Sequence, residues 1–378
     1  MRSRLLGNVR GFRNTRSAST VARSMRKNRR KNRIFATSLT FGVLLAACGS
    51  STSSSSTSSS SSTSAAKTLT PLNLITFPGT YYFTDAVAQA KGFFQANGLS
   101  VQFIKPQAGT SALQLLLSGS VDGLINDGAL SVLPASEGQD IKIIGSIYNR
   151  NAWKIYVSDK VSGLPTKTSF PSAIQALKGL TIGVTSIGAG TDLALQSILI
   201  AAGMNPQTDV HRVGIGLLQA AVGQFQAGTI QAYVFNSPAG NILGTAHLAH
   251  EYFDIATQGP KEFADVPQGT LITSGTWLQT HQAVAKEWIA AEEEALKWIE
   301  QPANLQAAGA LYSTSYGGST AAGVATVKNL VQNVYPYTLP GLKVPRSLFD
   351  NEVNLLVKVG LLKPGVAHYS SIVASFAQ

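Results

Sequence analysis

The sequence predicts an α/β protein whose body folds as two lobes of one plan, each a central sheet flanked by helices. Three observations predict it. Residues 178–203 read as strand, glycine-rich turn, helix and stop, and residues 72–98 repeat that unit. A helix-to-strand join then recurs almost position by position in both halves, and all three pieces follow in the same order.

The later copy, KGLTIGVTSIGAGTDLALQSILIAAG, opens with an apolar, β-branched run at 181–184 that suits one buried strand. Ser186, Ile187, Gly188, Ala189, Gly190, Thr191 and Asp192 turn the chain, with two glycines free to take positive φ. Leu195, Ile198, Leu199 and Ala202 share one helix face, and Gly203 stands where a helix-ending glycine belongs. Such a turn aims unpaired N–H groups beyond the strand's end, where an anion or a polar ligand head fits. In the earlier copy the strand is 72–76, the turn 77–82, and the helix runs to Asn97-Gly98 with Val87, Ala90 and Phe94 inward. Second strands follow at 99–104 and 210–215. The join from Leu117 to Asp127 then lies beside Gln226 to Asn236: Gly119 matches Gly228, Val121 matches Ile230, Gly123 matches Ala232, and Asp127 falls opposite Asn236.

The N-terminus is different in kind. The whole chain carries 30 Lys and Arg against 19 Asp and Glu, a net +11. Twelve of the basic residues and no acid lie in 1–47, which leaves 18 against 19, or −1, from Cys48 onward. The basic character therefore belongs to a leader, and nucleic-acid binding by the folded part loses its main support. After the charges, 34–47 is a short apolar stretch ending in Leu45-Ala46-Ala47-Cys48-Gly49. It is too short to span a membrane comfortably and resembles the bacterial lipobox, whose cysteine is lipidated after cleavage just before it. Residues 1–47 are thus read as a signal peptide, with Met25 an alternative start. Cys48 is read as a lipidation site, and the Ser/Thr-rich remainder of 48–67 as a slack tether. Cys48 is the only cysteine, so no disulfide is expected.

The remaining residues suffice for two lobes with real cores. Strands are expected at 141–147, 154–157 and 270–273, with polar Asn149, Arg150 and Asn151 marking the first crossing between lobes. Residues 281–300 form a long amphipathic helix, and a Pro/Gly-rich bend precedes a last helix at 347–359, a tail expected to pack on the first lobe. The lobes are assigned as 68–158 with 268–378, and 159–267.

Three motifs resemble those of one family. Ala90-Lys91-Gly92-Phe93-Phe94-Gln95-Ala96-Asn97-Gly98-Leu99, then Ser118-Gly119-Ser120-Val121-Asp122, then Leu177-Lys178-Gly179-Leu180-Thr181-Ile182-Gly183-Val184 are similar to signatures of ABC-transporter solute-binding proteins. The group is the one that handles nitrate, taurine, alkanesulfonates and thiamine-pyrimidine precursors. The resemblance implies the type II periplasmic-binding fold, whose two lobes close on a small molecule at the strand ends. It also implies delivery to a membrane permease, no enzymatic activity, no cofactor and a monomer.

Contacts are expected at the carboxyl ends of the strands. In the first lobe these are Tyr81 and Tyr82, Gly109, Thr110 and Ser111, and Asp127 with Gly128 and Ala129. In the second they are Ser186, Gly188, Ala189, Gly190 and Thr191, and Asn236 with Ser237. The tyrosines serve either as an apolar helix start or as a stacking wall. Thr110 or Ser111 is either a helix cap or a contact, and Asp127 either a turn-former or a ligand partner. The gap expected to take the solute lies between Gly190 and Asp127.

Other chemistry finds little support. Gly188-x-Gly190-x-x-Leu193 lacks the third glycine of a dinucleotide fingerprint, and no P-loop lysine or G-x-S-x-G elbow is present. His247, His250 and Glu251 lack the H-E-x-x-H pattern of a metal site. The pyrimidine-precursor synthases of the superfamily use a cysteine-rich motif, which is absent here. Helix-start amides and Arg150 favour a sulfonate, nitrate or carboxylate, whereas Asp127 with two tyrosines favours a nitrogen heterocycle such as a pyrimidine. The small organic anion is the preferred reading, and a surface enzyme or sensor reusing the fold is the competing class.

Overall fold

Among the described residues ten strands build two separate five-stranded sheets of equivalent order. In this computed structural model the described residues are 68–106, 109–166, 169–236 and 239–378, within one compact unit spanning Ala65–Gln378. The segments read above as signal peptide and Ser/Thr tether, with Cys48, lie outside them. The first sheet runs β2 (Leu99–Ile104), β1 (Thr70–Ile75), β3 (Gly123–Asn126), β10 (Gly269–Thr273), β4 (Lys142–Tyr148). The second runs β7 (His211–Gly214), β6 (Thr181–Val184), β8 (Ala232–Phe235), β5 (Lys154–Ser158), β9 (Ala249–Asp254). In each sheet four strands run parallel to one another, and the fourth in the order, β10 or β5, runs antiparallel to both its neighbours.

Those two antiparallel strands are the first that the chain makes after each crossing. The chain leaves β4, passes through 149–153 and enters the second sheet as β5. It leaves β9, passes the short helix Ile255–Gln258, and returns as β10. This corrects the expected boundary: 154–158 belongs to the second sheet, so the first lobe does not extend to residue 158. The crossing at 149–151 stands where the polar residues placed it.

The internal repeat has a physical basis. Gly119 and Gly228 take φ of +71° and +70° after their helices, a left-handed conformation that a Cβ would strain. Asp122 and its counterpart Gln231 do the same work. Asp122 Oδ2 accepts the N–H of Asn73 at 2.7 Å, and Gln231 Oε1 accepts that of Thr181 at 2.8 Å. Each thereby pairs the N–H one residue before the ladder of the two strands begins, at Leu74 with Gly123 and at Ile182 with Ala232. The copies differ at Gly123, matched by Ala232, because a Cβ at 123 would stand 2.5 Å from the Trp288 ring.

Other elements deviate instructively. The helix Phe83–Lys91 stops at Gly92 (φ +76°) and resumes as Phe93–Ala96, so the family motif is a helix broken by its own glycine. The long helix spans Gly275–Glu300, beginning before the apolar stripe does. His281 departs from helical geometry there, and Ser274 caps the true start through the N–H of Trp277 at 3.1 Å. Strand β9 was not expected. It is an edge strand whose His250 and Glu251 are exposed, a charged edge that hides the strand pattern and discourages further pairing. His250 Nδ1 meets Asp159 at 2.7 Å and Glu251 pairs with Lys154 at 2.9 Å. Among the described residues no group of three His, Cys, Asp or Glu is placed to hold a metal ion.

The tail packs on the first lobe: Val373 bridges to Ile143, and the N–H of Ala374 donates to Ile143 O at 2.9 Å. No helix among the described residues is long and apolar enough to cross a membrane.

Candidate functional site

The parallel strands of each sheet end toward the other lobe, so the turns after them face across a cleft. A cavity of ≈ 80 Å³ lies there. The first lobe contributes Phe77, Pro78, Tyr81, Tyr82, Asn126, Asp127 and Leu130. The second contributes Thr185, Ala189, Gly190, Thr191, Leu217, Phe235 and Asn236, and Trp153 comes from the crossing between them.

The polar end of this cavity is the start of the helix Gly190–Ala201. The Ala189 N–H donates to Ser186 O at 3.1 Å, and those of Asp192 and Leu193 donate to Ala189 O at 2.9 Å. The N–H groups of Gly190 and Thr191 have no acceptor among the described residues, and no side chain caps the helix. The Thr191 hydroxyl instead ties the turn, accepting the Thr185 N–H at 3.0 Å. Asp192 is the acid of the first turn, but its carboxylate faces away from the opening. It holds Arg212, Gly188 N–H and Gln196. The helix start therefore keeps its positive end free.

Asn236 sits opposite Gly79 at 3 % exposure, and its Oδ1 has no hydrogen-bond partner. A buried amide left unpaired in this way is costly unless something enters to satisfy it. The walls are aromatic. Tyr81 packs edge-on between Tyr148 and Trp153 at centroid distances of 5.2 and 5.1 Å, and Tyr82 lies 5.5 Å from Phe77. The Tyr82 hydroxyl is occupied, donating to Ile125 O at 3.0 Å. No Lys, Arg or His lines the cavity among the described residues.

Asp127 lines the cavity, but no open gap separates it from Gly190. Gly190 closes directly on it: a Cβ at 190 would stand 3.0 Å from both Cβ and Cγ of Asp127. The cavity lies to one side of that contact. Asp127 caps the helix Gly128–Ser136, accepting the Ala129 N–H at 3.0 Å, and also accepts from the Trp153 indole at 3.0 Å and from the Gln268 amide. Burial pushes its carboxyl up to about 6, against the opposing pull of those donors.

Behind it Glu352, on the helix Arg346–Lys358, is 4 % exposed. Burial first, then the charge of Asp127, pushes its carboxyl up to about 8. A raised carboxyl contributes stability that is complete below its unfolded value and lost as pH rises through its folded one. The melting temperature is therefore expected to fall as pH climbs from about 4.5 toward 8. Glu352→Gln should flatten the part of that fall above pH 6 and raise the melting temperature at pH 8, read by calorimetry; an unchanged profile would refute the assignment.

Of the other expected residues, Tyr81, Tyr82, Ala189, Gly190, Thr191 and Asn236 come together at the cavity. Ser111, Gly128, Ser186 and Gly188 do not line it. Gly128 is pressed against the second crossing instead, where a Cβ would meet Pro267 O at 2.4 Å. Gly109 and Thr110 open the helix Gly109–Leu117, but the surroundings of both, like Ser237, lie outside what the structure describes. Arg150 is elsewhere, paired with Asp265 at 3.3 Å and stacked on Tyr337. Sequence reasoning missed Phe77, Pro78, Asn126, Leu130, Trp153, Thr185, Leu217 and Phe235. Phe235, the residue before Asn236 at the end of a repeat strand, was the most findable.

The profile of the NMT1-like family matches residues 65–313. The chain belongs to the NMT1-like family. This NMT1-like chain is 26 % identical over 238 residues to the nitrate/nitrite binding protein NrtA of Nostoc sp., covering 58 % of this chain and 53 % of that protein. It thus spans about half the length of that curated relative. Its fold is shared with the periplasmic nitrate-binding protein NrtA from Synechocystis PCC 6803, at TM-score 0.65 and 16 % identity over 79 % of this chain and 83 % of that one. The alkanesulfonate-binding protein SsuA from Xanthomonas axonopodis pv. citri, bound to MOPS, superposes at TM-score 0.64 and 15 % identity over 80 % and 98 %. The fold also occurs in the desulfurization enzyme DSZB, at TM-score 0.52 and 15 % identity over 81 % and 97 %.

Proposed function

We propose that this NMT1-like protein is the substrate-binding component of an ABC importer, exported, anchored by lipid at Cys48, and without chemistry of its own. It works as a monomer that closes its lobes over a small solute and presents it to permease subunits. The observation that carries the reading is the inter-lobe cavity with its unfilled polar end: the free N–H groups of Gly190 and Thr191 beside the unpaired Asn236 amide. An acid head accepting from the Gly190 and Thr191 N–H groups, with an apolar body against Phe77, Tyr82 and Phe235, fits this end, and the Asn236 oxygen is left to accept from a donor group on the solute. The relatives named for nitrate and alkanesulfonate support an acidic solute. Apolar walls and a lining without cations among the described residues favour an organic sulfonate or carboxylate over bare nitrate.

A second reading has its own support. The unpaired Asn236 oxygen and the flat aromatic walls would suit the N–H edge of a pyrimidine or similar heterocycle.

A thermal-shift panel of sulfonates, carboxylates, nitrate and pyrimidines separates these. A ligand at 100 times its Kd adds about 2.7 kcal/mol of stability. Protection by organic sulfonates or carboxylates, with the solute recovered unchanged, is the expected result. Protection by pyrimidines alone would establish the second reading, and turnover of the solute by pure protein would place the chain among surface enzymes.

A further inference from the structure

The geometry around Asp127 is more than a helix cap requires. A cap uses one oxygen, and Oδ1 serves that purpose with the Ala129 N–H. Oδ2 takes two further donors, the Trp153 indole N–H and the Gln268 side-chain amide. Trp153 ends the first connection between the lobes, immediately before β5, and Gln268 ends the second, immediately before β10. One carboxylate oxygen thus holds both connections, and the second lobe seats on the same side chain through Gly190. Trp153 is in turn a cavity wall and stands edge-on to Tyr81. Gln268 is 3 % exposed and does not line the cavity that Trp153 walls.

We propose that Asp127 is a closure pin: a positioning residue that holds one donor from each inter-lobe connection, registers both against the first lobe, and fixes Trp153 as the wall on which the second lobe closes. This rests on capture by lobe closure and adds how closure is held. Opening the cleft requires the connections to change direction, so releasing either donor frees the motion. Asp127 then governs how long a solute stays, while its own oxygens remain committed to protein donors.

The test uses the full chain with Cys48→Ser and spin labels on cysteines replacing the exposed Gln114 of the first lobe and Gln226 of the second. Inter-lobe distances are measured without solute for the parent, Asp127→Asn, Gln268→Leu and the double variant Asp127→Asn with Gln268→Glu. The parent is expected to keep the largest short-distance population, and both single variants to shift toward long distances. The double variant should recover part of the parent distribution, because the amide introduced at position 127 can donate to the carboxylate introduced at position 268 while the Trp153 indole stays unpaired, a coupling that loss of a helix cap would not show. With a solute that protects the parent in the thermal panel, both single variants should release it about tenfold faster at an unchanged association rate. Identical distributions in all four proteins would overturn the pin. So would a double variant no better than Asp127→Asn, which would reduce Asp127 to a helix cap. Weakened binding in Asp127→Asn with none in Gln268→Leu would make Asp127 a direct contact instead. If no solute protects the parent, capture fails as a reading, and the solute-free distances still decide the pin.

Discussion

Gly190→Val is expected to weaken solute binding by about 10–100-fold while leaving the fold intact. A Cβ at this position comes 3.0 Å from two atoms of Asp127, and valine adds two methyl groups beyond it. Asp127 cannot yield, because three donors hold it. The strain of overpacking, about 1–3 kcal/mol, therefore falls on the closed state and is relieved when the lobes part. Each 1.4 kcal/mol so lost is a factor of about ten in Kd. Titration calorimetry reads the affinity, and small-angle scattering should show an expanded particle in the presence of solute. Parent-like affinity would mean that this contact is not made in the bound state.

Asn236→Leu should move stability and binding in opposite directions. The amide is buried with one end unpaired, a condition that costs about 1–3 kcal/mol. Leucine fills similar space and leaves no polar atom unsatisfied, so the solute-free protein is expected to melt higher. The same change removes a polar contact from the cavity, and the ligand-induced shift in melting temperature should vanish. A variant that melts lower when empty, or that keeps the full ligand shift, would show that Asn236 serves the fold.

Much of the site was legible because it lies on repeated, local features. The turn at 186–191 announced itself through its glycines, and the match between the two halves pointed to Asn236 and Asp127. What could not be read was which face each side chain would present. Asp127 and Asn236 occupy equivalent positions, yet one is saturated by Trp153, Gln268 and Ala129 while the other keeps an unpaired oxygen. Their difference comes from partners 26 and 141 residues away in one case and from none in the other. Arg150 misled for the same reason, because its charge is taken up by Asp265 and by the face of Tyr337.

By itself the sequence determined the layered α/β class, the duplication and the turns that end its strands. These depend on periodicity and on backbone preferences that act over a few residues. The tertiary structure alone decided that 154–158 joins the second sheet, that Trp153 walls the cavity and that Gly190 rests on Asp127. Those outcomes depend on contacts between segments distant in the chain, where desolvation and hydrogen-bond competition choose among partners that local pattern leaves equivalent.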